Sequence, residues 1–180
     1  PAAVMGSYPH ELSGGMLQRA AIATAVSCEP ELVIADEPTT ALDAVVQVQV
    51  ADAFMRLVRE LGSAMMVITH DLRLLQRMAD RIAVMYAGRI VEFGSAERLL
   101  GAPRHRYPAA LLQSSVRATS PGQRLETVEG QPPTLPGTFE ACAFAPRCAF
   151  ADERCRTEVP TYTWPADDGV ACHHPVGART

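Results

Sequence analysis

The sequence predicts an α/β fold: a parallel sheet with crossover helices, followed by a small module held by cysteines. Three observations carry that prediction. Short apolar runs alternate with segments of helical periodicity through the first hundred residues, the pattern of strands joined by crossover helices. Prolines divide 4 to 10 between residues 1–100 and 101–180, so regular structure concentrates in the first part. Four of the five cysteines lie in the last 39 residues, marking a separate stapled segment. The expected divisions are 1–100, an α/β unit; 101–140, an extension helix and a Pro-rich linker centred on Arg117 to Glu140; and 141–180, a Cys-rich module.

Ser13 to Cys28 is expected to be a helix, with Ser13 as N-cap and Leu17, Ala20, Ala21, Thr24 and Ala25 on one face. Leu32 to Ala35 reads as a buried strand before two acids. Ala44 to Leu61 places Val46, Val50, Phe54, Leu57 and Leu61 at helical spacing, and Gly62 stops it. Its opening, VVQVQV, also alternates like a strand. Ala64 to Thr69 is a second buried strand, and Asp71 to Ala79 a short helix. Ile82 to Tyr86 and Arg89 to Phe93 flank Ala87-Gly88 as a hairpin.

Composition narrows the function. At 48% hydrophobic and 20% charged, the 180-residue chain is globular rather than disordered. Its longest apolar stretch, Ile82 to Ala87, falls far short of the roughly 20 residues a membrane helix needs. No signal peptide opens it, and a start at Pro1 reads as a processed chain or a fragment. All 16 basic residues are Arg, which excludes Schiff-base chemistry, a lysine base and the phosphate loop G-x-x-x-x-G-K-[ST] within this chain. A net charge of −4 argues against a nucleic-acid surface.

Asp36 and Glu37 end the first strand, where open α/β sheets bind ligands. Adjacent acids there can divide two tasks, one holding Mg²⁺ and one orienting an attacking water. Alone, such a run more often reads as an Asp cap beside an exposed Glu. Two glycines in LSGGM open a helix, where backbone N–H groups can meet an anion. A turn carrying Asp43 follows the acids, and His70 ends the second strand.

In that order and spacing, the features resemble the ATP-binding cassette (ABC) ATPases. SYPHELSGGMLQRAAIATAVSCEPELVIADEPTTALD resembles the family's signature loop and helix, Walker B strand and D-loop; VITHD resembles its switch-histidine loop, and RIAVMYAGRIVEFG its terminal hairpin. The resemblance implies the C-terminal part of a P-loop ABC ATPase domain. It implies that Asp36 positions Mg²⁺, Glu37 polarises water and His70 senses the γ-phosphate of ATP. Ser13, Gly14, Gly15 and Met16 would face ATP held by a second ATPase subunit, and Asp43 would couple the two sites. Met16 stands where many relatives have Gln, a mark of the peptide-importer branch. The family's Walker A loop precedes the signature, so this chain alone is expected to show no ATPase activity. A non-hydrolysing module offering only a signature face is the alternative. A chromosome-maintenance ATPase would need long heptad arms, which the sequence lacks.

Cys142, Cys148, Cys155 and Cys172 are separated by 5, 6 and 16 residues. Disulfides do not suit a cytosolic ATPase, and by spacing alone zinc and a [4Fe–4S] cluster stand level. Cys28 is expected to be a small core residue, and His173 and His174 to be supporting or exposed. RHRYPAALLQSSV, CAFAPRCAFADERC and VACHHP resemble the C-terminal extension of oligopeptide and dipeptide importer ATPases, with Arg106 where relatives often have Pro. That resemblance implies a [4Fe–4S] cluster on the four cysteines. It also implies two permease subunits, an extracytoplasmic peptide-binding protein acting indirectly, no nucleic acid, and a place on the cytoplasmic face of the plasma membrane.

Overall fold

The computed structural model describes residues 2–40, 42–116, 128–131, 133, 139–162 and 168–177. Most of the expected linker, together with Trp164 and Pro165, lies outside the described residues. The chain forms two compact units, Pro1–Met78 and Ala79–Thr180.

In the first unit, helix α1 (Ala2–Met5) and a 3-10 turn (Pro9–Glu11) precede α2 (Gly14–Val26). Ser13 caps α2, its side chain accepting from Met16 N at 3.4 Å. Strands β1 (Leu32–Asp36) and β2 (Ala64–Ile68) pair in parallel, Leu32 opposite Ala64 and Asp36 opposite Ile68. Helix α3 (Ala44–Glu60) makes the crossover that a parallel pair requires. Its opening VVQVQV is helical because Asp43 caps it, Oδ1 accepting from Val45 N and Val46 N at 3.1 and 3.0 Å. Helix α4 (Leu72–Met78) follows, capped by Asp71 Oδ1 through Arg73 N at 2.9 Å. Ile22, Val26, Val33, Ala35, Val50, Phe54 and Val58 form the core.

Three expectations change here. The buried side of α2 carries Ile22 and Val26, while Leu17, Ala20, Ala21, Thr24 and Ala25 are exposed. Small residues circle this helix, so its apolar periodicity is weak; contact with α3 selects the face, where a Cβ on Gly15 would stand 2.9 Å from Val46 Cγ1. The strands are covered on one face only among the described residues: Val33 and Ala35 are buried, but Leu32, Ile34, Met66 and Ile68 are exposed. Cys28 lies past the end of α2 and is exposed rather than in the core.

In the second unit, β3 (Arg81–Tyr86) and β4 (Arg89–Ser95) form the expected hairpin. Ala87 (φ 50°) and Gly88 (φ 75°) both take the left-handed conformation that matches a two-residue turn to strand twist. Helices α5 (Ala96–Gly101), α6 (Arg106–Val116) and α7 (Glu153–Thr157) follow. Strand β5 (Gly169–Val170) then joins β4 antiparallel, Glu92 opposite Val170. The hairpin and the cysteine segment therefore share one unit, whereas the sequence reading divides them at residue 100. The reason is a common aromatic core: Phe144 packs edge-on to Tyr86 at 5.3 Å between centroids and lies 5.5 Å from Tyr107. Glu92 is fully buried; it accepts from Arg98 Nη1 and His105 N, each at 2.7 Å, and from Arg104 N at 2.9 Å.

Candidate functional site

The carboxyl ends of β1 and β2 bring together two of the predicted residues. Glu37 follows β1 in the left-handed conformation (φ 47°), its N–H donating to Ile68 O at 2.8 Å. That turn aims the carboxylate across the register toward the end of β2. His70 Nδ1 lies 2.7 Å from Glu37 Oε1, and His70 N donates to the same oxygen at 3.2 Å. Thr40, which sequence reasoning did not single out, donates from Oγ1 to Glu37 Oε2 at 2.9 Å. A hydroxyl three residues after the acid was the available signal. Asp36 stands exposed at the end of β1, open to a cation.

Bonding to His70, then to Thr40, holds the Glu37 carboxyl below its usual value. The same bond, with the charge of Glu37, raises His70 above its ordinary 6.5. The sign of the pH dependence follows from both shifts. The His70 contribution is complete below about 6.5 and lost as pH rises through the raised folded value; the Glu37 contribution is lost as pH falls through the depressed one. The contact therefore persists across the interval between them. NMR titration of the His70 ring is expected to give a midpoint above 6.5, and Glu37→Gln to move it back down. An unshifted midpoint in the unsubstituted chain would remove the contact from solution.

Ser13, Gly14 and Met16 are exposed at the opening of α2, and Gly15 is half-buried. Ser13 and Asp43 act locally as caps of α2 and α3.

In the second unit, Cys142, Cys148, Cys155 and Cys172 line one cavity, with Phe144 and His174 also in its wall. Several backbone bonds fold these segments together. Cys142 N donates to Cys155 O at 3.0 Å, Ala145 N to Cys142 O at 3.0 Å, and Ala151 N to Cys148 O at 3.1 Å. Arg147 ties in Val128 and Glu129, donating to their carbonyls at 3.1 and 3.0 Å. Burial pushes the thiols of Cys142, Cys155 and Cys172 up, and neighbouring cysteines add to it. Three thiols that resist ionising alone, with Cys148 in the same cavity wall, fit a group that brings its own positive charge. His105 is also in the wall, buried, and pushed down to about 4 by that burial.

Asp152 is a second residue that sequence reasoning missed. It caps α7, accepting from Cys155 N at 2.9 Å, and its other oxygen meets His174 Nε2 at 2.8 Å. The Cys155 amide, first among several donors, draws its carboxyl down to about 2. An acid three residues before Cys155 was legible as an N-cap; its pairing with His174 was not.

Comparison with known proteins bears on both units. A model of the ABC transporter family matches residues 2–40, and one described as the oligopeptide/dipeptide transporter C-terminal region matches residues 91–155. A peptide import ATP-binding protein of Brucella ovis is 50% identical over 161 residues, which are 86% of this chain and 48% of the relative. The dipeptide transport ATP-binding protein DppD of Escherichia coli (strain K12) is 43% identical, over 98% of this chain and 54% of its own length. The oligopeptide transport ATP-binding protein OppD of Haemophilus influenzae is 47% identical, over 84% and 47%. The chain spans about half the length of the curated relatives it matches.

Proposed function

Since this chain belongs to the oligopeptide/dipeptide ABC transporter ATP-binding family, we propose that it is part of an ATPase subunit that powers peptide import. The contact between Glu37 and His70 at the ends of two parallel strands carries this reading. In it, Asp36 holds Mg²⁺, which neutralises phosphate charge; Glu37 orients the attacking water, and His70 contacts the γ-phosphate. Ser13, Gly14, Gly15 and Met16 present the opening of α2 to ATP on a second ATPase subunit, and Asp43 links the two sites. At the cytoplasmic face of the plasma membrane the subunit passes the motion to two transmembrane permease subunits, and an extracytoplasmic binding protein delivers the peptide. Among the described residues, no helix is long and apolar enough to cross a membrane, which is compatible with a peripheral place. Full-length parent reconstituted with its permease partners in proteoliposomes should take up labelled dipeptide with ATP, and His70→Ala should stop it. Undiminished uptake with His70→Ala would remove His70 from the mechanism.

The same reading places a [4Fe–4S] cluster on Cys142, Cys148, Cys155 and Cys172, supported by the cavity they line. The cluster supplies covalent cross-links between segments whose own apolar core is small. Anaerobically purified chain should be brown with four irons. Cys→Ser at any of the four should lower the iron, and Cys28→Ser should not. Iron-free protein under those conditions would defeat the cluster.

A further inference from the structure

Asp152, Cys155 and His174 each offer a ligand atom, and the three atoms lie within 4.8 Å of one another. Among the described residues this is the one group of three or more His, Cys, Asp or Glu so placed. The arrangement is built rather than incidental. Asp152 Oδ1 accepts from Cys155 N, which seats Cys155 on the first turn of α7. His174 is held from the other side, its carbonyl accepting from Arg106 Nε at 2.8 Å. Its Nε2 is closed off from solvent against Asp152 Oδ2. Cys155 is buried, while the side chains of Asp152 and His174 are partly open, so an ion entering the group parts the contact between His174 and Asp152.

We propose that in cluster-free protein Asp152, Cys155 and His174 bind one divalent ion of the zinc class. Sulfur, nitrogen and oxygen donors in a set of three, with a fourth position left to water, suit a borderline-soft tetrahedral ion. Binding releases the Cys155 thiol proton to solvent, shifts the His174 ring proton from Nε2 to Nδ1 so that Nε2 can ligate, and moves no electron. The thiolate and the carboxylate together balance the charge of the ion, and neutral His174 supplies its lone pair. The ligand set stands independently of the cluster reading. The two occupants both need Cys155, so if a cluster does form, zinc and cluster exclude one another.

Co²⁺ is the probe, added to the full chain after aerobic purification and chelator treatment. One equivalent should bind with a thiolate-to-cobalt charge-transfer band, and Zn²⁺ should displace it. Cys155→Ser should abolish the band. Asp152→Asn, which keeps a capping oxygen, and His174→Gln should each weaken binding at least about tenfold. Cys142→Ser and Cys148→Ser should leave band and affinity unchanged. Far-ultraviolet circular dichroism of each variant separates lost binding from lost fold. A band that needs Cys142 and Cys148 but ignores Asp152 and His174 overturns the proposal in favour of a four-thiolate site. No stoichiometric binding by the folded chain overturns it outright. Iron and sulfide reconstitution of zinc-free and zinc-loaded chain then reads the cluster separately. Failure in both loses the cluster and keeps the zinc site, whereas equal success in both removes the exclusion.

Discussion

Glu37→Gln in the full-length parent is expected to lower ATP turnover by about 10²–10⁴-fold while ATP still binds. The substitution is nearly isosteric, and a glutamine oxygen can still accept from His70 N, which now donates to Glu37 at 3.2 Å. What disappears is the negative charge that the bonds from His70 and Thr40 favour on Glu37 and that raises the pKa of His70. A neutral amide cannot orient and polarise water as a carboxylate does, whereas Asp36, one residue earlier on β1, keeps the carboxylate that the proposed function assigns to Mg²⁺. Phosphate release and nucleotide retention, measured on the same preparation, check both halves. Loss of ATP binding would instead make Glu37 a metal-binding or structural residue.

Glu92→Ala is expected to destabilise the second unit by about 3–5 kcal/mol, the usual effect of removing one partner from a buried ion pair. The substitution strands more than Arg98. Arg104 N and His105 N also lose their acceptor, in a place where Glu92 has no solvent exposure to let water substitute. Arg98 would retain Asp168, 2.6 Å from Nη2, so the damage should centre on the turn that leads into α6. Glu92→Gln keeps an acceptor and should be milder. Urea unfolding followed by hydrogen exchange at β3 and β4 amides gives the measurement. An unchanged midpoint for Glu92→Ala would show that the buried carboxylate does not organise this unit.

Features fixed by a few neighbouring residues were legible. Ser13 announced a helix start, Ala87-Gly88 announced a hairpin turn, and the strand ends located Glu37 and His70. Features decided by distant partners were not. The buried face of α2 depends on α3, because alanines and threonines leave the helix little polarity of its own. Cys28 looked internal because the helix was read two residues too long. The packing of the tail was likewise not local, since Phe144 finds its aromatic partners at Tyr86 and Tyr107, far back in the chain. The pairing of Asp152 with His174 spans a long excursion that spacing cannot close.

Among the described residues, strand β4 has β3 on one side and only the two residues of β5 on the other, with Ala171 N adding one bond to Val91 O. Without β5, Val91 and Phe93 would sit on an open sheet edge whose free amides and carbonyls can template pairing between molecules. The brief C-terminal strand thus acts as a guard against self-association. Shortening the chain ahead of Gly169 would turn the hairpin into an aggregation site before any question of ATP or metal arises.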